Sequence, residues 1–529
     1  MNQLDAVIVG GGHNGLTCAA YLARAGLSVR VLERRRIVGG AAVTAEFHPG
    51  FRNSVAAYTV SLLQGRIIRE LELARHGLTI VERRAQNFLP TEDGRYLLTG
   101  EGRTQQEIAK FSAADAERYP AYAAEIAGVA ALMRELMLEA PPNATLGRRT
   151  FGELGKALKL GGRLLKAGPR ARRALQHLLQ KSAGDYLDGW FVSDPIKAVL
   201  GFDSIVGNFA SPYAPGSAYV LLHHCIGEVN GRPGVWGHAI GGMGAVSDAI
   251  ARAAAAHGAR IDTQAEVRDI IVERGHACGV VLADGSSMRA RTVIANVNPK
   301  SLFEQLMPRE AVPPRVAERM RNWKAGSGTF RMNVALSALP NFTALPGPGD
   351  HHTAGIILGP SLRYFDRAYW DAVAYGWSRA PVIEMLIPST LDDSLAPKGA
   401  HVASLFCQHV APKLPDGTSW DLHRDTVADL MISTVEKFAP GFRSRIVGRQ
   451  ILTPLDLERD FGLPNGDIFH GALTLDQLFL ARPMVGYADY RMPLPGLYLC
   501  GSGAHPGGGV SGAPGHNAAQ AVIRDLRKR

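Results

Sequence analysis

The residues Gly10-Gly11-Gly12-His13-Asn14-Gly15 offer chemistry through their backbone more than through their side chains. Gly10 permits a tight turn, Gly12 a close approach of the chain to a ligand, and Gly15 close packing of a helix on a strand. N–H groups at the start of a helix present its positive dipole end to an anion. Glu33 follows Gly15 by 18 residues, where a carboxylate accepts hydrogen bonds from ribose hydroxyls. Phosphate donors and a ribose acceptor at this spacing are what a dinucleotide requires.

Regular elements must hold these groups in place. Ala6-Val7-Ile8-Val9 is an apolar run suited to a buried parallel strand. Leu16 to Ala25 has helical composition, and Gly26 stops it. Ser28 to Leu32 reads as the next strand, completing a βαβ unit. Near the other end, the strand-like Leu497-Tyr498-Leu499-Cys500 runs into a glycine loop from Gly501 and Ser502 to Val510 and Ser511, then a helical stretch over 513–526. This second strand, loop and helix start can hold an anion or a carbonyl. Cys500 reads as strand packing. Gly241 to Gly244 is not a second fingerprint, because no clear parallel strand feeds it and no acid follows at the right distance. Residues 104–140 read as helix, and Phe330 to Leu336 as strand.

The bulk numbers narrow the classes. A chain of 529 residues, 46% hydrophobic, has room for two or three domains. The charge of +10 comes with no nucleic-acid-binding module. The five cysteines, Cys18, Cys225, Cys278, Cys407 and Cys500, are odd in number and form no Cys-x-x-Cys, so neither a disulfide framework nor a dithiol centre is expected. The vicinal pairs His223-His224 and His351-His352 lack partners at metal-ligand spacing, so no metal is expected. No signal peptide and no apolar run of about 18 residues is read, which makes a reducing, cytoplasmic compartment the expectation. One stretch stands apart. Between Arg148 and Lys181, ten basic residues accompany a single acid, Glu153, with leucines interleaved at helical spacing. That pattern fits either a solvated helical lid or an amphipathic helix at a membrane surface.

Glu33, Arg34 and then Gly39-Gly40-Ala41 resemble the signature of glutathione-reductase-like flavoproteins, within them the amine oxidase and phytoene desaturase branch. Asp467 to Gly471, Arg482-Pro483, Ile387 to Thr390, Leu395 to Pro397 with Gly399, and Gly501 to Gly512 look like the phytoene desaturase and carotenoid isomerase group. Over nearly the whole chain the sequence resembles the group of pyridine nucleotide-disulphide oxidoreductase domain-containing protein 2 and its bacterial relatives. Ala41-Ala42 departs from the arginine many members carry after the diglycine, and Ser502 stands where many carry an acid.

The resemblance implies an α/β fold: a glutathione-reductase-like Rossmann FAD-binding domain, formed discontinuously from 1–75, 236–300 and 484–529, with an α+β substrate domain from 76–235 and 301–483. It implies FAD held non-covalently by Gly10, Gly12, His13, Asn14, Gly15, Glu33, Arg34, Gly39, Gly40, Ala41, Val267, Gly501, Ser502, Val510 and Ser511. Val267 would offer its backbone to the adenine, and the C-terminal helix would point at the flavin pyrimidine ring. Asn53-Ser54 and Tyr58 would flank the isoalloxazine. The candidates for direct chemistry are His505, beside the glycine loop, and Arg331, where amine oxidases carry a lysine. The implied activity is a flavin-dependent desaturation, dehydrogenation or oxidation of an apolar, unsaturated small molecule. The alternatives are a carotenoid-type isomerase and a non-enzymatic binding protein of the GDP-dissociation-inhibitor type. No second nucleotide fingerprint for NADPH is found.

Overall fold

The computed structural model describes residues 4–143 and 150–527. Five parallel strands form the centre of the first sheet, in the order Arg260–Asp262, Val29–Leu32, Leu4–Val9, Ser287–Ala295 and Leu497–Leu499. Val7 lies between Arg30 and Val293 in register, with no exposure, as its apolar run requires. The long strand Ser287–Ala295 also closes an antiparallel meander with Val267–Glu273 and His276–Leu282. Helices His13–Arg24, Met243–Ala256 and Ala513–Leu526 cover this sheet. Leu302, Phe303, Met307, Val316, Met320 and Trp323 pack into the same core.

The second sheet has seven strands in the order Ile446–Leu452, Phe330–Leu336, His401–Val410, Trp377–Leu386, Gly355–Leu358, Asn87–Pro90 and Tyr96–Leu98. Every residue of Phe330–Leu336 is buried, because helices cover both faces of the sheet. Helix Trp420–Phe438 packs against one face. A helical lobe, including Ala113–Met137, Gly168–Gln180 and Ser217–Cys225, packs against the other. The hairpin Thr44–His48 and Phe51–Ser54 leaves the first sheet and packs on the second, where Phe51 meets Ala335 and Val402.

The basic stretch is not one helix. It divides into Thr150–Lys166 and Gly168–Gln180, with Gly168 at φ +80° and Pro169 opening the second helix. Arg148 and Arg149 lie outside the described residues. The excess charge is also partly answered: Glu139 accepts from Lys159 at 2.9 Å and Arg163 at 2.8 Å, and Glu153 from Lys156 at 2.8 Å. No helix among the described residues is long and apolar enough to cross a membrane.

Candidate functional site

The site starts where strand Leu4–Val9 ends. Gly10 turns the chain at φ +97°, and Gly12 caps the first helix with extended backbone. No side chain caps that helix, and its first turn holds no acid. Its leading N–H groups are therefore left for a ligand. The N-terminus of Met243–Ala256 contrasts with it. There Ser54 Oγ accepts from Met243 N at 2.9 Å and Thr44 Oγ1 from Gly244 N at 2.9 Å, so protein hydroxyls already satisfy the donors.

Gly15 sets how closely helix and strand approach, since a Cβ there would lie 2.3 Å from the Gly10 carbonyl oxygen. Glu33 is only 5% exposed and accepts from Gly11 N at 2.8 Å and Arg35 N at 2.9 Å. Its carboxylate borders the cavity with lone pairs to spare. Gly39, at φ +120°, donates to Gly11 O at 2.8 Å, which tucks the diglycine under the first turn.

The C-terminal loop meets this turn directly. Asn14 Nδ2 donates to Ser502 Oγ at 3.2 Å. A Cβ on Gly515, in the C-terminal helix, would lie 2.1 Å from Asn14 O, so the first and last helices touch backbone to backbone. Buried Arg482 holds the loop by donating to Ser502 O at 2.7 and 3.1 Å and to Phe469 O at 2.7 Å.

These elements enclose a cavity of about 310 Å³. Among the residues read from sequence, Gly10, Gly12, His13, Asn14, Glu33, Arg34, Gly40, Ala41, Tyr58, Val267, Ser502 and Val510 line it. Gly15, Gly39, Gly501 and Ser511 stand behind the wall. Ser511 Oγ instead accepts from Ala513 N at 3.2 Å. Arg34 reaches the carbonyls of Arg459 and Asp460, while Arg35 lies 4.5 Å over the Phe461 ring. Several cavity residues carry buried polar atoms with no protein partner: His13 Nε2, Asn14 Oδ1, Ser61 Oγ, Asn298 Nδ2 and His470 Nδ1. A buried polar atom calls for a partner. Together with the open helix start and Glu33, this donor and acceptor set fits FAD.

At one end Ala265 to Val267 lie beside Glu33, with Ala265 N donating to Glu33 O. At the other stand Tyr58, Thr59, Leu62, Val206, His224, Trp236 and Phe469. His224 stacks on Trp236 with ring centres 6.2 Å apart and lies 6.0 Å from Phe469. A charged cluster supports Tyr58 from behind. Its hydroxyl donates to Glu384 Oε2 at 2.6 Å, Arg331 sits 4.5 Å over its ring, and Arg83 donates to Thr59 Oγ1 at 2.7 Å. Burial, with Glu384 close by, pushes the Asp203 carboxyl up to about 8 against the pull of Arg83. Burial, Glu384 and the hydrogen bond to it hold the Tyr58 phenol well above its ordinary value.

The residues read as candidates for direct chemistry do not reach the cavity wall. Arg331 is buried and donates to Leu405 O and Ser404 Oγ, backing Tyr58. His505 Nε2 pairs with Leu136 O at 3.2 Å, and burial pulls the imidazole down to about 4. Asn53 and Ser54 also stand off the wall. They bond to Asn333, which fastens the hairpin to the second sheet. Sequence reasoning missed Thr59, His224, Trp236 and Phe461 to Leu463 as wall residues. The histidine pair His223-His224 was the visible signal; among the described residues no group of three or more His, Cys, Asp or Glu is gathered closely enough to hold a metal ion.

Comparison with known proteins agrees with this geometry. The signature of flavin containing amine oxidoreductases matches residues 15–330. The chain is 44% identical to pyridine nucleotide-disulfide oxidoreductase domain-containing protein 2 of Rattus norvegicus, over 99% of this chain and 94% of that protein. It is 27% identical to a subunit of the limonene dehydrogenase of Castellaniella defragrans, over 99% and 95% of the two. Wild-type putrescine oxidase bound to putrescine shares the fold, with a TM-score of 0.61 at 17% identity over all of both chains. With a matching signature over more than half its length and a full-length relative at that identity, the chain belongs to the flavin containing amine oxidoreductase family and is an FAD-dependent oxidoreductase.

Proposed function

We propose that this chain oxidises an apolar, unsaturated small molecule at the cavity end bordered by Tyr58, His224, Trp236 and Phe469. The observation that carries this reading is the character of the wall. Ala56, Ala57, Leu62, Val206, Ile468, Phe469 and Val510 supply most of it, and no carboxylate among the described residues lines that end. Its imidazole is neutral, since burial pulls His224 to about 4. A cationic amine would lack a counter-charge on this wall, whereas an alkene needs none. The limonene dehydrogenase relative, similar over the full length, is named for an apolar, unsaturated hydrocarbon.

Bound flavin supplies the two-electron redox chemistry. The chain's own part is to orient substrate and exclude water. His224 and Trp236 form a flat aromatic surface. Tyr58, committed to Glu384, keeps its proton at neutral pH and presents a fixed ring edge. In this reading 1–75, 236–300 and 484–529 hold the dinucleotide, while 76–235 and 301–483 shape the substrate space. Leu302 to Trp323 goes with the nucleotide core, into which its apolar side chains pack.

The test is anaerobic mixing of the flavin-loaded protein with limonene, longer polyenes and putrescine, following the visible flavin absorption. Bleaching by alkenes alone supports the proposal. Bleaching by putrescine alone overturns it, and rearranged alkene without bleaching favours the isomerase reading instead.

A further inference from the structure

The helix Thr150–Lys166 is turned inside out for a surface helix. Leu154, Leu158 and Leu165 are 54, 68 and 66% exposed. At 100° per residue they fall within an arc of about 40°. The opposite side carries the ion pairs, Lys156 with Glu153 and Arg163 with Glu139. A helix facing water ordinarily buries its apolar stripe and exposes its charges. Such an apolar stripe on the surface marks a place where something else binds.

The surroundings indicate what binds. Lys166 follows the last leucine, and the next helix, Gly168–Gln180, presents exposed Arg170, Arg172 and Arg173. Lys166, Arg172 and Arg173 form no ion pair among the described residues. A second copy of this face would set two basic arrays against each other, which costs affinity. A tight leucine stripe edged by lysine and arginine suits an interface of acyl chains and anionic headgroups.

We propose that the helix Thr150–Lys166 docks this protein peripherally on an anionic lipid bilayer, with Leu154, Leu158 and Leu165 in the acyl boundary and Lys166, Arg172 and Arg173 against the headgroups. The docking helix is tied to the cofactor side of the molecule. Its partner Glu139 lies two residues past the end of helix Ala113–Met137. At that end Leu136 O pairs with His505, and Met137 O accepts from Asn517 Nδ2 at 2.9 Å. A bilayer held on the leucine side of this helix is therefore one helix away from the element that buttresses the glycine loop.

The test is co-sedimentation of the full-length protein with vesicles of phosphatidylcholine alone and of equimolar phosphatidylcholine and phosphatidylserine. The wild type should sediment with the second and not the first. Salt at 1 M, where the Debye length is about 3 Å, should release it. The variants L154Q/L158Q/L165Q and K166E/R172E/R173E should each partition at least roughly tenfold less. Because these side chains are exposed, thermal melts of the variants should match the wild type. Wild type left in the supernatant with anionic vesicles at low salt overturns the proposal, as does a leucine variant that binds like the wild type. A wild-type dimer that the leucine variant dissociates, with no vesicle binding, would show instead that the face joins two copies.

Discussion

Replacing Gly15 by alanine sets two effects of known size against each other. Alanine is favoured over glycine in a helix by at most about 1 kcal/mol. Its Cβ, however, would lie 2.3 Å from Gly10 O and 2.8 Å from Asn296 Nδ2. Cβ contacts do not occur below 3.0 Å, so backbone must move by about 0.7 Å. The Gly10 carbonyl cannot yield freely, because it accepts from Asn296 Nδ2 at 3.0 Å at the head of the turn. Overpacking of this kind costs about 1–3 kcal/mol, so the net loss of stability is modest. Binding suffers more. Moving the helix start by this amount stretches an ordinary hydrogen bond beyond about 3.5 Å, and a bond to a charged phosphate is worth about 1.5–3 kcal/mol. Gly15→Ala should thus weaken FAD binding by at least about tenfold, read by titrating apoprotein with FAD. Gly128 is the control. It sits in helix Ala113–Met137 with nothing within 4 Å of its would-be Cβ. Gly128→Ala should raise stability by about 1 kcal/mol and leave FAD affinity unchanged. A Gly15→Ala protein that binds FAD as tightly as wild type would show that the helix start does not hold the cofactor.

Three further outcomes are expected. Arg482→Met should destabilise the fold by about 3–6 kcal/mol, because the buried carbonyls of Ser502 and Phe469 would each lose a charged donor worth about 1.5–3 kcal/mol; a loss below about 1 kcal/mol in denaturant melts would contradict this. Acid should be destabilising: burial pulls His13, His224 and His505 to about 4 and His223 and His470 to about 3. The unfolded chain takes up their protons below about pH 6.5 while the folded chain does not, so each loses about 2 kcal/mol between pH 7 and 5. Asp203, raised to about 8, works the other way by about 3 kcal/mol, so Tm should still fall across this range, and a flat Tm would refute the burial of the imidazoles. NADPH should not bleach the flavin anaerobically, since the donors at the start of Met243–Ala256 are already held by Ser54 and Thr44; rapid stoichiometric bleaching would overturn that.

The nucleotide end was legible in the sequence because its requirements fall on the backbone. Glycine at positions 10, 12 and 15 restricts what the turn can be, whatever folds around it. The other end was legible only at Tyr58, which the resemblance placed beside the flavin and which does line the cavity. His224, Trp236 and Phe469 come from distant segments, and their convergence on it depends on how the second sheet and its helical lobe pack. Arg331 and His505 stand off the wall for a related reason: neither a likeness at one strand position nor nearness to a glycine loop says which way a side chain faces. Arg331 points to the Tyr58 and Phe406 side of its strand, and His505 turns to Leu136. The basic stretch appeared uncompensated because its partner Glu139 precedes it, outside the charge run.

We propose that the first turn, Glu33 and the loop at Ser502 together hold FAD without a covalent link. The most direct measurement is the visible spectrum of the purified protein, followed by denaturation and analysis of the supernatant. The purified protein should be yellow and should release intact FAD on unfolding. A colourless protein that cannot be reconstituted with FAD, or flavin that stays with the unfolded chain, would contradict it.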